Sequence, residues 1–559
     1  MAHQIMGLVI PALLQPYIGS GSCALGLHQN REVMLRSMMW GAHFVTLVAP
    51  IVLAIEVTIP LTAPSGAASL MGNLVSLSIE QDRWTDWVGT TEPNTFFNNV
   101  LDNFIQITNT PPFVRIGADS EDHTDFSYDV EYEEDIFPPS STITPYPEAT
   151  NITVGQGFYD IISHLPNGTQ VHWGVNLREY NLTAAYLETV ALMKAFSSPA
   201  VVEKNITLKF IEVGNEADLY YNNKGRNSSW NVQEYVSEWE DFAYNVSMAA
   251  NLSKSSYTKL IGAAFAGSSH NNLSGFSPQA IFNLGILESP AGQLIETISQ
   301  HHYSGSFCTG GGAVLQDLMT KSYIRGNISM YNPDIEAASA KGLNYILGET
   351  NSMSCHGAPN VSNTAGAALW LLDYTLYATQ VGISRIHFHE GIGYKYNLIQ
   401  PTTLNYSILD GSPIAPLAPH IQPAYYAAII AAEAIGSSGT TQAVEIPIDE
   451  NNVSGYAFFE HGTLSKAVFI NTIAYFSGAG ARNSTHIDVS FTGSGHAANR
   501  MSVKTLKIGY ASDTTNLTWG GQTYETSDGR VSGPLIVDVL PVSSGVDLQE
   551  TEAILVTFL

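Results

Sequence analysis

The sequence predicts a (β/α)8 barrel joined to an all-β sandwich, and three observations carry that prediction. From about Leu74 to Gly391 short β-rich runs alternate with helical patterns, the signature of βα units around a parallel sheet. After Gly436 the texture changes to short strand-like runs separated by Gly, Ser, Asn and Asp, as in a sandwich. The chain is 559 residues long and 45% hydrophobic, enough for a large barrel core and an accessory unit and too much for a single small binding module.

Residues 1–54 read as an N-terminal extension and signal segment. The apolar run His43 to Ile55 follows Arg31 and Arg36, is too short to span a bilayer, and has Ala54 near a cleavage point. Because such a signal opens a protein, the reading makes Met34 the natural start; an uncleaved anchor is the alternative. Residues 55–68, with the strand-like Glu56 to Thr62, are assigned to the sandwich, which makes it discontinuous. The barrel is placed at 69–437, with strands Leu74 to Ile79, Phe113 to Ile116, Val171 to Val175, Leu208 to Val213, Leu260 to Phe265, Thr297 to His301, Tyr345 to Leu347 and Arg385 to Phe388. Helices Leu182 to Phe196, Val232 to Ala250 and Ala365 to Gln380 lie between them, and His420 to Ile435 closes the ring. The sandwich is placed at 438–559, with strands Ala443 to Ile446, Gly455 to Phe458, Lys466 to Ile470, His486 to Phe491, Ser502 to Ile508 and Ala553 to Phe558.

Charge narrows the function. The 23 Lys and Arg against 50 Asp and Glu leave a formal net charge of −27, which disfavours nucleic acid and anionic membranes as partners. Fourteen Asn-x-Ser/Thr sequons between Asn151 and Asn516 exceed chance and point to a secreted, N-glycosylated protein with no membrane association after processing. Loss of the signal removes Cys23 and leaves Cys308 and Cys355, an even number that suits an oxidising compartment. These two follow neighbouring barrel strands, so they are close enough to bridge. Two buried free thiols are the alternative.

In a barrel the chemistry sits at the C-terminal strand ends. Strand four ends Val213-Gly214-Asn215-Glu216, and strand seven ends Leu347-Gly348-Glu349-Thr350-Asn351. Two carboxylates facing each other across the mouth are what retaining glycoside hydrolysis needs, one to protonate the leaving oxygen and one to attack the anomeric carbon. Asn215 is placed to hydrogen-bond the sugar 2-OH. Strand six ends His301-His302-Tyr303, where the phenol is placed beside Glu349 to orient it, rim packing being the alternative. His301, His302, His387 and His389 also admit a metal reading, but neither a Cys cluster nor an HExxH motif accompanies them, so no metal and no cofactor is expected.

These residues resemble glycoside hydrolase family 79, the β-glucuronidases and heparanase-like enzymes of the retaining barrel clan. The resemblance covers most of residues 69–437 in order, and the trailing sandwich looks like that family's C-terminal β-domain. Its most specific stretch runs from Leu347-Gly348-Glu349-Thr350-Asn351-Ser352 through Gly357-Ala358-Pro359 to Ser362-Asn363-Thr364-Ala365-Gly366, supported by Arg115-Ile116-Gly117 with Asp122, Asn215-Glu216 and Tyr396-Asn397-Leu398. The resemblance implies Glu216 as acid/base, Glu349 as nucleophile, Asn215, Asp122 and Glu80 as contacts to sugar hydroxyls, and Tyr396 as a holder of the uronate carboxylate. In the family a Gly-rich loop after the nucleophile also holds that carboxylate through its amides. Here the loop reads Ser354-Cys355-His356-Gly357, and Ala118 replaces the second Gly of the strand-two motif. Backbone N–H groups survive such changes, so the amides around Cys355 and His356 remain candidates wherever the loop keeps its conformation.

The expected substrate is a glycoconjugate bearing terminal β-linked glucuronic acid. A retaining β-glycosidase for a neutral sugar, and an inactive secreted carbohydrate-binding barrel, are the competing readings. Action at chain ends is expected over cleavage inside a sulfated polymer, because neither Asp119 to Asp125 nor Ser352 to Asn360 carries a Lys or Arg to offset polyanion repulsion. Lys395 is expected to add local attraction for one carboxylate.

Overall fold

The computed structural model describes residues 52–270 and 273–559. The Met34 start and nearly all of the apolar run of the signal segment lie outside the described residues. Among those described, no helix is long and apolar enough to cross a membrane.

Eight parallel strands close into a barrel in chain order: Val75–Glu80, Val114–Gly117, Gln170–Val175, Thr207–Val213, Lys259–Phe265, Ile295–Ser306, Asn344–Ser354 and Ile386–Glu390. Each contains most or all of its sequence-predicted run. The sixth and seventh extend well past theirs, so Tyr303 and Glu349 lie within strands, and the two strands stay paired as far as Ser306 and Ser354 with one register shift between Gln300 and His301. Near the strand N-termini Phe113, Phe210, Ile261 and Ile346 form a small separate apolar cluster, with Phe113 stacked on Phe210. A buried polar layer of Ser78, Arg115, His172 and Glu212 completes the interior, and a cavity opens at the opposite, C-terminal end of the strands.

Helices Leu182–Phe196 and Ala365–Gln380 match their predicted ranges. Local chemistry accounts for this: Asn181 and Thr364 each cap a helix by accepting from the N–H three residues on. The closing helix begins at Pro423, not His420. Proline suits the first helical turn, Gln422 is extended, and His420–Ile421 pairs instead with Ile399–Gln400.

The accessory domain has a three-stranded sheet facing a larger one. The N-terminal segment serves both: Val52–Pro60 runs parallel to Ser484–Thr492, and Ala68–Ser69 pairs with Gln442–Glu445. The first of these begins at Val52, inside the span 1–54 assigned to the signal segment. Strands Thr518–Trp519, Asp538–Pro541 and Val546–Gln549 are additional to the predicted set. Alternation assigns the two faces of the larger sheet. Ala457, Phe459, Ala467 and Phe469 fill the space between the sheets with Val57, Ile59 and Ile487, while Tyr456, Phe458, Val468 and Ile470 join the barrel's core. Each buried Phe contributes roughly 1.5–3 kcal/mol, so the larger sheet is bound to the barrel by a second core face and not by loops.

Candidate active site

The fourth strand turns sharply at its end. Gly214 has φ +78°, and a Cβ there would meet Leu177 at 2.5 Å. Glu216 itself is left-handed at φ 48°, its N–H donating to the Ala264 carbonyl at 2.8 Å. A non-glycine residue in this region costs about 1–3 kcal/mol, and such strain collects at functional sites. The turn points the Glu216 carboxyl into the mouth, where it is one-fifth exposed.

Glu349 lies across the mouth on the seventh strand, and a carboxylate oxygen of each, together with a ring nitrogen of His301, fall within 4.8 Å of one another. The surroundings separate the two acids. Burial raises the pKa of Glu216 above its ordinary value, and the negative charge of Glu349 adds to the rise. Burial acts on Glu349 too, but His389, His301 and Arg115 with the Tyr303 hydroxyl reverse it and hold the group at about 2. Tyr303 Oη donates to Glu349 Oε1 at 2.7 Å and Arg115 Nη1 donates to Oε2 at 2.9 Å. Tyr303 thus sits beside Glu349 and also lines the cavity.

Arg115, fully buried on the second strand, organises the floor. It donates to Glu212 Oε1 through Nε at 2.9 Å, to Ser78 Oγ at 2.7 Å and, through Nη2, to Asn215 Oδ1 at 2.8 Å. The last bond fixes the amide so that its NH2 is the group left for the cavity that Asn215 lines. A guanidinium with this many carboxylate neighbours stays charged; removing it would leave Glu212 buried and short of a partner, a loss of about 3–5 kcal/mol.

Of the other predicted contacts, Glu80, Cys355, His356 and Tyr396 line the same cavity of about 680 Å³. Glu80 accepts from Ser120 N at 3.1 Å and faces His389 Nε2 at 3.1 Å; burial and then the charges of Glu148 and Glu349 push its pKa well up. Asp122 is elsewhere. Its carboxylate accepts from the N–H groups of Leu177, Arg178 and Asn215 and from Tyr220 Oη, at 2.8–3.1 Å, and does not border the cavity. The acid of that segment that reaches the cavity is Asp119, because Ala118 at φ 64° starts a 3-10 turn that brings Asp119 outward and buries Asp122 beneath the Asn215 backbone. Lys395 also misses the cavity: it is buried, its ammonium donates to the Ile143 carbonyl at 3.1 Å, and burial lowers its pKa to about 8.

The loop after Glu349 answers the loss of its glycines. Cys355, His356 and Gly357 are all left-handed, at φ 60°, 66° and 86°. Cys355 is bridged to Cys308, with Cα atoms 5.1 Å apart. The His356 ring stacks on Tyr394 at 3.7 Å and its Nε2 meets Glu148 Oε1 at 2.5 Å. Burial would raise the Glu148 pKa, but His356 brings it down to about 2. A covalent tether on one residue and a stacked, hydrogen-bonded ring on the next hold a conformation that glycine would adopt freely. The Gly357 N–H is used within the fold, by the Met353 carbonyl, whereas Cys355 and His356 line the cavity.

The histidines do not gather as one ligand set. His302 Nδ1 faces Tyr374 Oη at 2.7 Å and His387 Nδ1 the Leu347 carbonyl at 3.2 Å, while His301 and His389 attend the carboxylates. Among the described residues the group with metal-ligand proximity is Glu216, His301 and Glu349. Reading the predicted strand ends finds His301 and His389, although in the structure His301 lies mid-way along the sixth strand and His389 one residue before the end of the eighth. Glu148, Tyr394 and Asp119 had no such local signal.

A closed parallel barrel with two carboxyls facing each other across the C-terminal mouth is an arrangement suited to a glycosidase. Comparison with known proteins agrees and is more specific. The glycosyl hydrolase family 79 C-terminal beta domain matches residues 455–555. A β-glucuronidase of Neurospora crassa is 30% identical over 77% of this chain and 76% of its own length, and a β-glucuronidase of Aspergillus niger is 28% identical over 74% of each. The chain belongs to glycoside hydrolase family 79. In fold it is similar to a 4-O-α-L-rhamnosyl-β-D-glucuronidase of Fusarium oxysporum 12S, with a TM-score of 0.73 at 23% identity over 90% of this chain and 100% of that one.

Proposed function

We propose that this glycosidase is a retaining β-glucuronidase that releases terminal glucuronic acid by double displacement. The observation that carries the reading is the pair Glu216 and Glu349, close enough for retention and with their pKa values pushed in opposite directions. Glu349, ionised, attacks the anomeric carbon while Glu216 gives its proton to the leaving oxygen. Glu216, now a base, then takes a proton from the water that hydrolyses the glycosyl-Glu349 ester. The Asn215 amide donates to the sugar 2-OH, and its grip tightens as oxocarbenium character develops. Glu80 and Asp119 accept from other sugar hydroxyls.

The uronate carboxylate meets the Cys355 and His356 amides and the Tyr396 phenol. Cys355 and His356 both hold a positive φ with side chains in place, so amide capture of an anion at these positions does not require glycine. The Neurospora and Aspergillus relatives, both β-glucuronidases, favour glucuronic acid over a neutral sugar at this position. The fourteen sequons and the Cys308–Cys355 bridge support a secreted, N-glycosylated protein.

Parallel assays on aryl β-glucuronide, β-glucoside and β-xyloside test the substrate; turnover of the glucoside at the rate of the glucuronide counts against it. NMR of the first-formed anomer tests the mechanism, with β product expected. Glu349→Ala abolishes turnover. Glu216→Ala loses far more activity on poor leaving groups than on activated aryl ones, and equal losses would argue against this assignment of roles.

A further inference from the structure

The role proposed for Glu216 divides the cavity, and the leaving-group side is defined only if that role holds. A proton donor stands beside the oxygen that leaves, so the aglycone lies against the loops after the fourth, fifth and sixth strands, on Glu216's own side. The sugar ring occupies the other side, toward Glu80, Glu148 and Tyr396. A cavity of about 680 Å³ exceeds the needs of one sugar ring and falls within the roughly 300–1,000 Å³ of sites that enclose ligands of several rings.

We infer that Leu219, His270, Met330 and Tyr331 form a leaving-group subsite for a neutral ring that presents a flat apolar face. His270 is set edge-on to Tyr331 with centroids 4.4 Å apart, and its Nδ1 is held by Asp334 Oδ2 at 2.6 Å. Tyr331 Oη donates to the His301 carbonyl at 2.6 Å, which braces this wall against the histidine that touches Glu216. Gly267 permits the approach: a Cβ there would stand 2.3 Å from the Tyr331 hydroxyl. Met330, half exposed, supplies a polarisable apolar surface at the rim. Among the described residues that border the cavity there is no Lys or Arg, so a sulfated ring would find carboxylates and no cation. The apolar face of a pyranose and a phenolic ring share the chemistry this wall recognises.

The test measures kcat/KM for methyl β-glucuronide, phenyl β-glucuronide and a glucuronosyl-hexose disaccharide in wild type, His270→Ala and Met330→Ala. A methyl group is too small to reach the wall. The preference for the ring-bearing leaving group over methyl is expected to fall roughly 5- to 30-fold in the variants. A fall for phenyl alone identifies an aromatic occupant, and a fall for the disaccharide alone identifies a sugar. Unchanged preference for both, or an equal loss on the methyl substrate, overturns the inference. Met330→Lys gives a gain that misfolding cannot mimic: hydrolysis of a 4-sulfophenyl glucuronide should rise relative to phenyl. The same series on phenyl and methyl β-glucosides separates the two readings, since a wall effect seen only there would leave the subsite standing and the glucuronide assignment refuted.

Discussion

Replacing Tyr303 by Phe removes one hydroxyl and no ring, and the geometry around Glu349 sets its consequence. That hydroxyl donates at 2.7 Å to Glu349, whose pKa is held at about 2. A hydrogen bond to an ionised group contributes about 1.5–3 kcal/mol, which at about 1.4 kcal/mol per unit corresponds to one to two pKa units. Arg115 still donates to the other oxygen at 2.9 Å, so the carboxyl pKa should rise yet stay below its ordinary value. The nucleophile works ionised, so raising its pKa moves the acid limb of the kcat/KM profile to higher pH by the same one to two units. The assay is hydrolysis of an aryl β-glucuronide by wild type and variant from pH 2.5 to 7 at constant ionic strength, each sample returned to pH 5 to verify reversible behaviour. The titration of the substrate's own carboxyl is common to both enzymes and cancels in the comparison. An acid limb that does not move would refute the assignment of Tyr303 as the support of Glu349 and return it to rim packing.

On the alkaline side, activity should decline as pH rises through the raised pKa of Glu216, because the proton it must give is then lost; Glu216→Gln should abolish that limb on an activated aryl substrate. Tyr396→Phe should raise KM for a glucuronide about tenfold or more while leaving weak activity on the matching glucoside, and equal changes on the two would remove Tyr396 from carboxylate binding. Replacing both Cys308 and Cys355 by Ser frees a loop of two left-handed non-glycine residues, each costing about 1–3 kcal/mol. The measured result should be a rise in KM for glucuronide larger than that for glucoside. On heparan sulfate the enzyme should release terminal glucuronic acid without shortening the polymer internally, which size-exclusion profiles over time would reveal.

The Asp119 to Asp125 segment separates what is local from what is not. Both Asp119 and Asp122 follow the second strand, and composition favours neither as a sugar contact. The choice was made by a 3-10 turn starting from a left-handed Ala118, and by three backbone N–H groups and a phenol from the third and fourth strand ends that converge on Asp122. Lys395 is a similar case: a cation next to a candidate site residue reads as attraction, yet its direction was set by a carbonyl at Ile143, far away in the chain. The pairing of His356 with Glu148, 208 residues apart, depends on the long excursion between the second and third strands, for which the sequence offered no motif.

The sequence by itself determined the eight strands, the helices Leu182–Phe196, Val232–Ala249 and Ala365–Gln380, the two carboxylates contributed by the fourth and seventh strand segments, and the proximity of Cys308 to Cys355. Each of these rests on a short-range rule: apolar periodicity, a capping side chain one turn away, or the adjacency of consecutive strands in a closed barrel. Only the tertiary structure decided which acids face the cavity, which histidines and arginine join Tyr303 around Glu349, and how the loop keeps Cys355 and His356 left-handed without glycine there. Those outcomes depend on burial and on charges brought together from distant segments, and a pKa or a strained φ is set by whatever surrounds it in space and not by its neighbours in the chain.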